Sequence, residues 1–149
     1  MKKQQSIQSI VAKQIRTELK KAFPSVKFSV TSCSFSMGNA VDIHWYNGAT
    51  YKMVDDVVGK YQYGHFDGMT DSYEYSNKRK DIEQVKFVQT NRTITEDAIH
   101  RLNAKLKHGL AGFENVTDID KATDEFMNFF GCWTPREYLL RQARDLYLI

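Results

Sequence analysis

At 149 residues, the chain is long enough to bury about two-thirds of its unfolded surface as one domain, 1–149, without disulfide or metal staples. Hydrophobic residues at 42% and aromatics at 13% exclude wholesale disorder, and no apolar run approaches the ~20 residues of a membrane span. The net charge of +3 is too small to identify a nucleic-acid-binding protein, but its distribution is uneven. Met1 to Lys21 carries Lys2, Lys3, Lys13, Arg16, Lys20 and Lys21 against Glu18. Phe113 to Gly131 carries Glu114, Asp118, Asp120, Asp124 and Glu125 against Lys121. The polar, basic N-terminus lacks the apolar core of a secretory signal. Cys33 and Cys132 form no C-x-x-C and no metal-ligand spacing, so they read as reduced thiols of a cytoplasmic protein, with a long-range disulfide as the lesser alternative.

In chain order, Ile7, Ile10, Val11, Ile15, Leu19, Ala22 and Phe23 recur at helical spacing and predict a helix from about Ser6 to Ala22, stopped by Pro24. Lys13, Arg16, Lys20 and Lys21 fall on its solvent side. Lys20 and Lys21 also suit the negative end of the helix dipole. Val26, Phe28 and Val30 alternate with polar residues and predict a strand over Val26–Thr31. Val41, Ile43 and Trp45 predict a second over Ala40–Tyr46, forming an antiparallel hairpin with Lys27, Ser29, Asp42, His44 and Tyr46 on its outer face. Asn47-Gly48 is a tight-turn signature. Thr50 caps a predicted helix to Tyr63, with Met53, Val54, Val57, Val58 and Tyr61 as its buried stripe.

The stretch from Tyr61 to Tyr75 combines five aromatic rings with Gly64, Gly68 and three acids. Gly64 sits where a left-handed helix C-cap would fall, and Phe66-Asp67-Gly68 reads as a tight turn. The faces of Trp45, Phe28, Val57 and Val58 converge beneath it, which places Phe66 as a plug on that core and Tyr73 and Tyr75 nearer the surface. Lys78-Arg79-Lys80 follows, then a third strand over about Glu83–Thr90 that extends the sheet. Thr95 caps a helix with Ala98, Ile99, Leu102 and Leu106 inward. A fourth helix, opened by Asp118 or Asp120, has Ala122, Phe126, Phe129 and Phe130 on its core side. A fifth runs from Thr134-Pro135 to about Tyr147, with Tyr138, Leu139, Ala143 and Leu146 inward. The predicted class is α+β, ordered α-β-β-α-β-α-α-α, with helices covering a small antiparallel sheet of about three strands. Residues 7–91 form its α-β-β-α-β core and 92–149 a helical C-terminal part.

Three stretches carry a family resemblance: Pro24-Ser25-Val26-Lys27-Phe28-Ser29-Val30, then Val41-Asp42-Ile43-His44-Trp45 with Asn47-Gly48, then Tyr61 to Tyr75. Over roughly Ile7 to Asn91 the chain resembles the twenty-ninth of the large polyvalent protein-associated domains. The resemblance implies a protein of a phage or conjugative element, in the cytoplasm of a bacterial host, with a counter-defence or host-takeover role. It supplies no catalytic residue.

The remaining chemistry is weighed on residue types. His65, Asp67, Asp71 and Glu74 match no EF-hand, H-E-x-x-H or zinc-deaminase spacing, and Asp67 has a ready turn role, so no metal and no cofactor is expected. His44 beside Asp42 resembles a base with its carboxylate, but no nucleophile is nominated, and a Cys33–His44 pair is a weaker alternative. No phosphate-binding glycine loop and no nucleophile elbow occurs. The expectation is a non-enzymatic protein that binds a host protein or ribonucleoprotein complex. Its contact residues are taken as Tyr63, His65, Tyr73, Tyr75, Lys78, Arg79 and Lys80. The alternative is direct nucleic-acid binding through Lys13, Arg16, Lys20 and Lys21 together with Lys78 to Lys80. A hydrolase using His44, His65 and nearby acids is a third, weaker reading.

Overall fold

The computed structural model describes residues 5–107 and, beyond them, 140, 141, 143, 144, 146 and 148. The first helix, α1 (Ile7–Ala22), buries Val11, Ala12, Ile15 and Leu19. These recur every three to four residues, so they line one side of the helix. The Phe23 N–H donates back to the Leu19 carbonyl, and Pro24 prevents continuation.

Strand β1 (Phe28–Phe35) pairs antiparallel with β2 (Gly38–Tyr46), from Phe28 opposite Trp45 to Phe35 opposite Gly38. The predicted first strand stops too early, at Thr31. Beyond Val30 every residue of β1 is exposed, so the apolar alternation that reveals a half-buried strand is missing there. Asn47 and Gly48 both take positive φ, 51° and 52°, at the predicted turn.

Helix α2 (Tyr51–Val58) follows, with the Thr50 hydroxyl accepting the Met53 N–H at 3.2 Å, and runs into a 3₁₀ turn over Gly59–Tyr61. Val54, Val58 and Tyr61 are buried, whereas Met53 is exposed, contrary to the predicted stripe. Met53 lies one position off the i, i+4, i+7 line through Val54, Val58 and Tyr61, which turns it to solvent.

A short separate hairpin comes next, β3 (His65–Asp67) with β4 (Ser72–Glu74). The chain then returns to the main sheet as β5 (Phe87–Thr93), which pairs with β2 in parallel, Ala40 opposite Phe87 through Tyr46 opposite Thr93. The strand order is β1-β2-β5, so the sheet is mixed rather than wholly antiparallel. The reason is the intervening α2: a helical connection carries the chain back to the end of the sheet where β2 began. The protein is α+β.

The main core joins Val11, Ile15 and Leu19 of α1 to Ile43 and Trp45 of β2, and to Val54, Val58 and Val85. Phe28 and Val57 pack against it half-buried, as expected. Phe66 does not plug it: that ring is 55% exposed. It stands opposite Tyr73 in the small hairpin, which is a sheet of its own. The opposite face of the main sheet carries Ser29, Asp42, His44 and Tyr46, as predicted, together with Gln89 and Asn91 from β5.

Helix α3 (Glu96–Lys107) is capped by the Thr95 hydroxyl, which accepts the Ala98 N–H at 3.3 Å. Ile99 and Leu102 form a second small core with Ala143. Leu146 is exposed, not inward. Leu148 makes a two-way antiparallel backbone bridge to Gly48. Between these parts lies Arg92, 9% exposed, whose guanidinium donates to the carbonyls of Asn47, Gly48, Ala143, Arg144 and Leu146. All five N–H groups of the guanidinium are thereby used. Burial holds the Arg92 pKa below its ordinary value. The predicted fourth helix, Cys132, Thr134-Pro135, Tyr138 and Leu139 lie outside the described residues, as does the Leu106 side chain.

Candidate interaction site on the small hairpin

The hairpin is tied to the body of the protein at its base. The Gln62 side chain donates to the Gly64 carbonyl at 2.7 Å and accepts the Val88 N–H at 2.7 Å, joining the hairpin's start to β5. Gln84 donates to the carbonyls of Lys60 and Asn77, at 2.7 and 2.8 Å. Gly64 is not a left-handed cap, since Gly48 is the glycine of positive φ among the described residues. Its role is close approach: a Cβ there would stand 2.0 Å from the Glu74 carbonyl oxygen and 2.6 Å from the Tyr73 ring.

At the hairpin's tip, Asp67 accepts from the Met69 N–H and the Thr70 hydroxyl, both at 2.9 Å. These bonds hold its carboxyl below the usual range, the Met69 N–H first. The left-handed position of this turn falls on Asp71, φ 50°, and not on Gly68. Met69 at the tip is 97% exposed.

Along one side of the hairpin the rings form a continuous strip. Tyr63 and Tyr75 are stacked, centroids 5.6 Å apart and 9° between planes. Tyr73 meets both edge-on, at 5.7 and 5.3 Å, and meets Phe87 of β5 edge-on at 5.6 Å. Phe87 in turn stacks on Phe35 at 6.2 Å. Two ammonium groups lie over these rings: Lys78 Nζ is 5.1 Å from Tyr75, and Lys86 Nζ is 5.1 Å from Tyr73 and 5.6 Å from Phe87. The Tyr73 hydroxyl donates to the Lys86 carbonyl at 2.5 Å, which fixes the central ring. Burial, then the neighbouring Tyr63 and Tyr75, push the Tyr73 phenol up to about 12. Burial and then Tyr75 raise that of Tyr63. Near neutral pH the Tyr63 and Tyr73 phenols are therefore uncharged.

Of the residues taken from the sequence as contact residues, the structure brings Tyr63, Tyr73, Tyr75 and Lys78 together. His65 stands apart from the strip. Its ring pairs with Ser76 Oγ at 3.0 Å and approaches Glu74 at 3.6 Å, and it lines a cleft of ≈ 430 Å³ with Asp55, Gln62, Asn77 and Thr90. Burial raises the Asp55 carboxyl above its ordinary value, against a lowering hydrogen bond from Thr90. Arg79 is engaged locally, forking onto Asp81 at 3.0 and 2.5 Å, and this bond holds the Asp81 carboxyl below its usual range. Lys80 is exposed. The strip also includes Lys86, Phe87 and Phe35, which sequence reasoning missed. Their proximity to the tyrosines depends on β5 pairing with β2, a contact that no local pattern announces.

Of the basic residues of α1, Arg16 donates to the Val30 carbonyl and lines a groove with Lys20, while Lys13 and Lys21 are simply exposed. His44 is bonded to the Thr93 hydroxyl at 3.0 Å and meets the Tyr46 ring edge-on at 4.7 Å. Among the described residues no three His, Cys, Asp or Glu side chains converge as metal ligands would, and no helix is long and apolar enough to cross a membrane.

No curated protein and no solved structure matches this chain. A family model does, that of large polyvalent protein associated domain 29, over residues 7–102. The match begins where α1 begins, takes in both sheets with the ring strip, and ends within α3. It extends the resemblance seen in the sequence by eleven residues, from Asn91 to Leu102. Covering well over half of the chain, it shows that the protein belongs to the large polyvalent protein associated domain 29 family, among proteins associated with phages and other mobile genetic elements.

Proposed function

We propose that the protein is a non-enzymatic binding protein that docks on a host protein or ribonucleoprotein complex, as a counter-defence inhibitor, through the ring–lysine strip of the small hairpin. The observation that carries this reading is the mutual stacking of Tyr63, Tyr73 and Tyr75 with Lys78 and Lys86 laid over the rings at the surface. Rings already ordered against one another lose little side-chain entropy on binding. Tyrosines flanked by cations are the residue types that anchor interfaces. Tyr75 remains 60% exposed, and Phe66 and Met69 extend the apolar surface toward the tip.

The test is affinity capture from infected or plasmid-bearing host cells, with and without nuclease, using wild type beside Tyr75→Ala/Lys78→Ala. The expected result is a nuclease-resistant protein partner retained by wild type and lost by the double variant, which keeps its wild-type melting curve. A partner captured equally by both proteins would remove the strip from the interface.

A further inference from the structure

A second surface, sharing no residue with the strip, lies between the last turns of α1 and the start of β1. There a groove of ≈ 450 Å³ is lined by Arg16, Lys20 and Lys27 and floored by Pro24, Val26 and Phe28. Three cations line it and no acid does. Arg16 and Lys20 stand one helical turn apart on one side of α1. Lys27 comes from the other wall, so the convergence is a product of the fold and not of the helix alone. The Arg16 guanidinium is oriented by its bond to the Val30 carbonyl, which leaves other N–H groups to donate. Matching the helix dipole accounts for Lys20 but not for Lys27, which belongs to no helix.

We propose that this groove binds the phosphate of a nucleotide unit, with the attached base or sugar lying on the apolar floor, and that its physiological occupant is single-stranded nucleic acid. Phosphate chemistry follows from the cations: Arg presents a planar fork of donors to phosphate oxygens, and lysines supply mobile charge. The single strand follows from the floor. An unstacked base can lie against Pro24, Val26 and Phe28, whereas the bases of a duplex stay inside their stack. The site narrows the basic stretch of α1 to two of its cations and adds Lys27.

The test measures fluorescence anisotropy of a labelled oligothymidylate of about ten nucleotides, alone and annealed to oligoadenylate as a duplex, at several salt concentrations. Wild type is compared with Lys20→Glu/Lys27→Glu, with the neutral Lys20→Gln/Lys27→Gln, and with Lys13→Glu/Lys21→Glu. The last makes the same charge change on exposed lysines outside the groove. The groove variants should lose about tenfold or more in affinity. The Gln pair should also flatten the dependence of log K on log salt by about 1.4, since each single-strand phosphate contact contributes about 0.7. The Lys13/Lys21 pair should lose less than about threefold, the modest loss expected from rim charges. NMR titration with thymidine monophosphate should shift Phe28 and Val26 resonances at concentrations where inorganic phosphate does not. Equal losses in the two Glu pairs, duplex bound as well as single strand, or no binding of any probe by wild type would each overturn the assignment. Tyr75→Ala should leave this binding intact, so failure here and failure of the protein-docking reading are separable.

Discussion

Arg92 donates from one terminal nitrogen to the carbonyl of Gly48 at 3.0 Å, and Gly48 is bridged in both directions to Leu148. One buried cation thus fastens the turn after β2 to the chain's C-terminal residues. The carbonyls it satisfies belong partly to the helical residues Ala143 and Arg144, where a cation also complements the negative end of a helix. Arg92→Met should cost roughly 3–5 kcal/mol, because several buried acceptors lose their donor at about 1–3 kcal/mol each and relaxation recovers part. Arg92→Lys should recover little of it, since an ammonium has three donors and no fork. Urea unfolding checks the cost, and amide exchange at Gly48 and Leu148 should accelerate in both variants. A loss below about 1 kcal/mol for Arg92→Met would show the network to be dispensable.

Two glycines of the hairpin should behave oppositely. Gly64→Ala places a methyl 2.0 Å from the Glu74 carbonyl oxygen, so the base of the hairpin must open. The expected cost is about 1–3 kcal/mol. Gly68→Ala meets no atom within 4 Å and should stay within about 0.5 kcal/mol of wild type. Thermal melts, with the nuclear Overhauser contacts between Phe66 and Tyr73, distinguish the two. Indistinguishable melts would refute the close-approach role of Gly64.

The exposure of Phe66 sets the cost of removing its ring. A fully buried phenyl truncated to Ala costs about 3–5 kcal/mol. At 55% exposure, Phe66→Ala should instead melt within about 1 kcal/mol of wild type, and any effect should appear in partner binding. A large drop in melting temperature would return this ring to the core.

Alkaline pH should loosen the protein in a defined window. Burial raises the Tyr61 phenol to about 12, with the Glu18 carboxylate that accepts its hydroxyl at 2.9 Å adding to the effect. Tyr73 is raised to about 12 as well. Both native values exceed the unfolded value of 10.0, so the native state holds these protons more tightly. Their stabilising contribution is complete below pH 10 and is lost progressively as pH rises toward about 12. Stability measured across that range should fall, and Tyr61→Phe should lessen the fall. Phenolate absorbance titrating wholly at the unfolded value would contradict it.

Periodicity was legible wherever an element has one buried side. The α1 stripe, the alternation of Val41, Ile43 and Trp45, the Thr50 and Thr95 caps and the Asn47-Gly48 turn all appear in the sequence because each is a local pattern with one physical meaning. The exposed end of β1 was hidden because strand residues wet on both faces carry no alternation. The parallel direction of β5 was hidden because pairing direction depends on the path of the connection, which no residue of Phe87–Thr93 encodes. Phe66 was misplaced because an apolar ring in a turn-rich stretch reads as core unless the separate small sheet is seen. In the candidate site, composition disclosed the tyrosines and Lys78. It did not disclose that Arg79 is taken up by Asp81, or that Phe87 arrives from a distant strand with Lys86 just before it.

The pairing of β2 with β5 also sets an order of assembly. Phe35 and Gly38 need only a two-residue turn to meet, so β1 and β2 can zip together early and locally. Ala40 must find Phe87 across the whole of α2 and the small hairpin, a closure whose entropy is met before any contact repays it. Arg92 cannot gather its carbonyls until β5 is in place and Ala143 and Leu146 have come to it. This clamp therefore cannot close until Ala143, Arg144 and Leu146 have been made and brought to Arg92. An intermediate in which residues 143–148 have not yet docked should leave the Asn47-Gly48 turn unbridged and Ile99 and Leu102 without Ala143, giving proteases their opening at one end of the sheet.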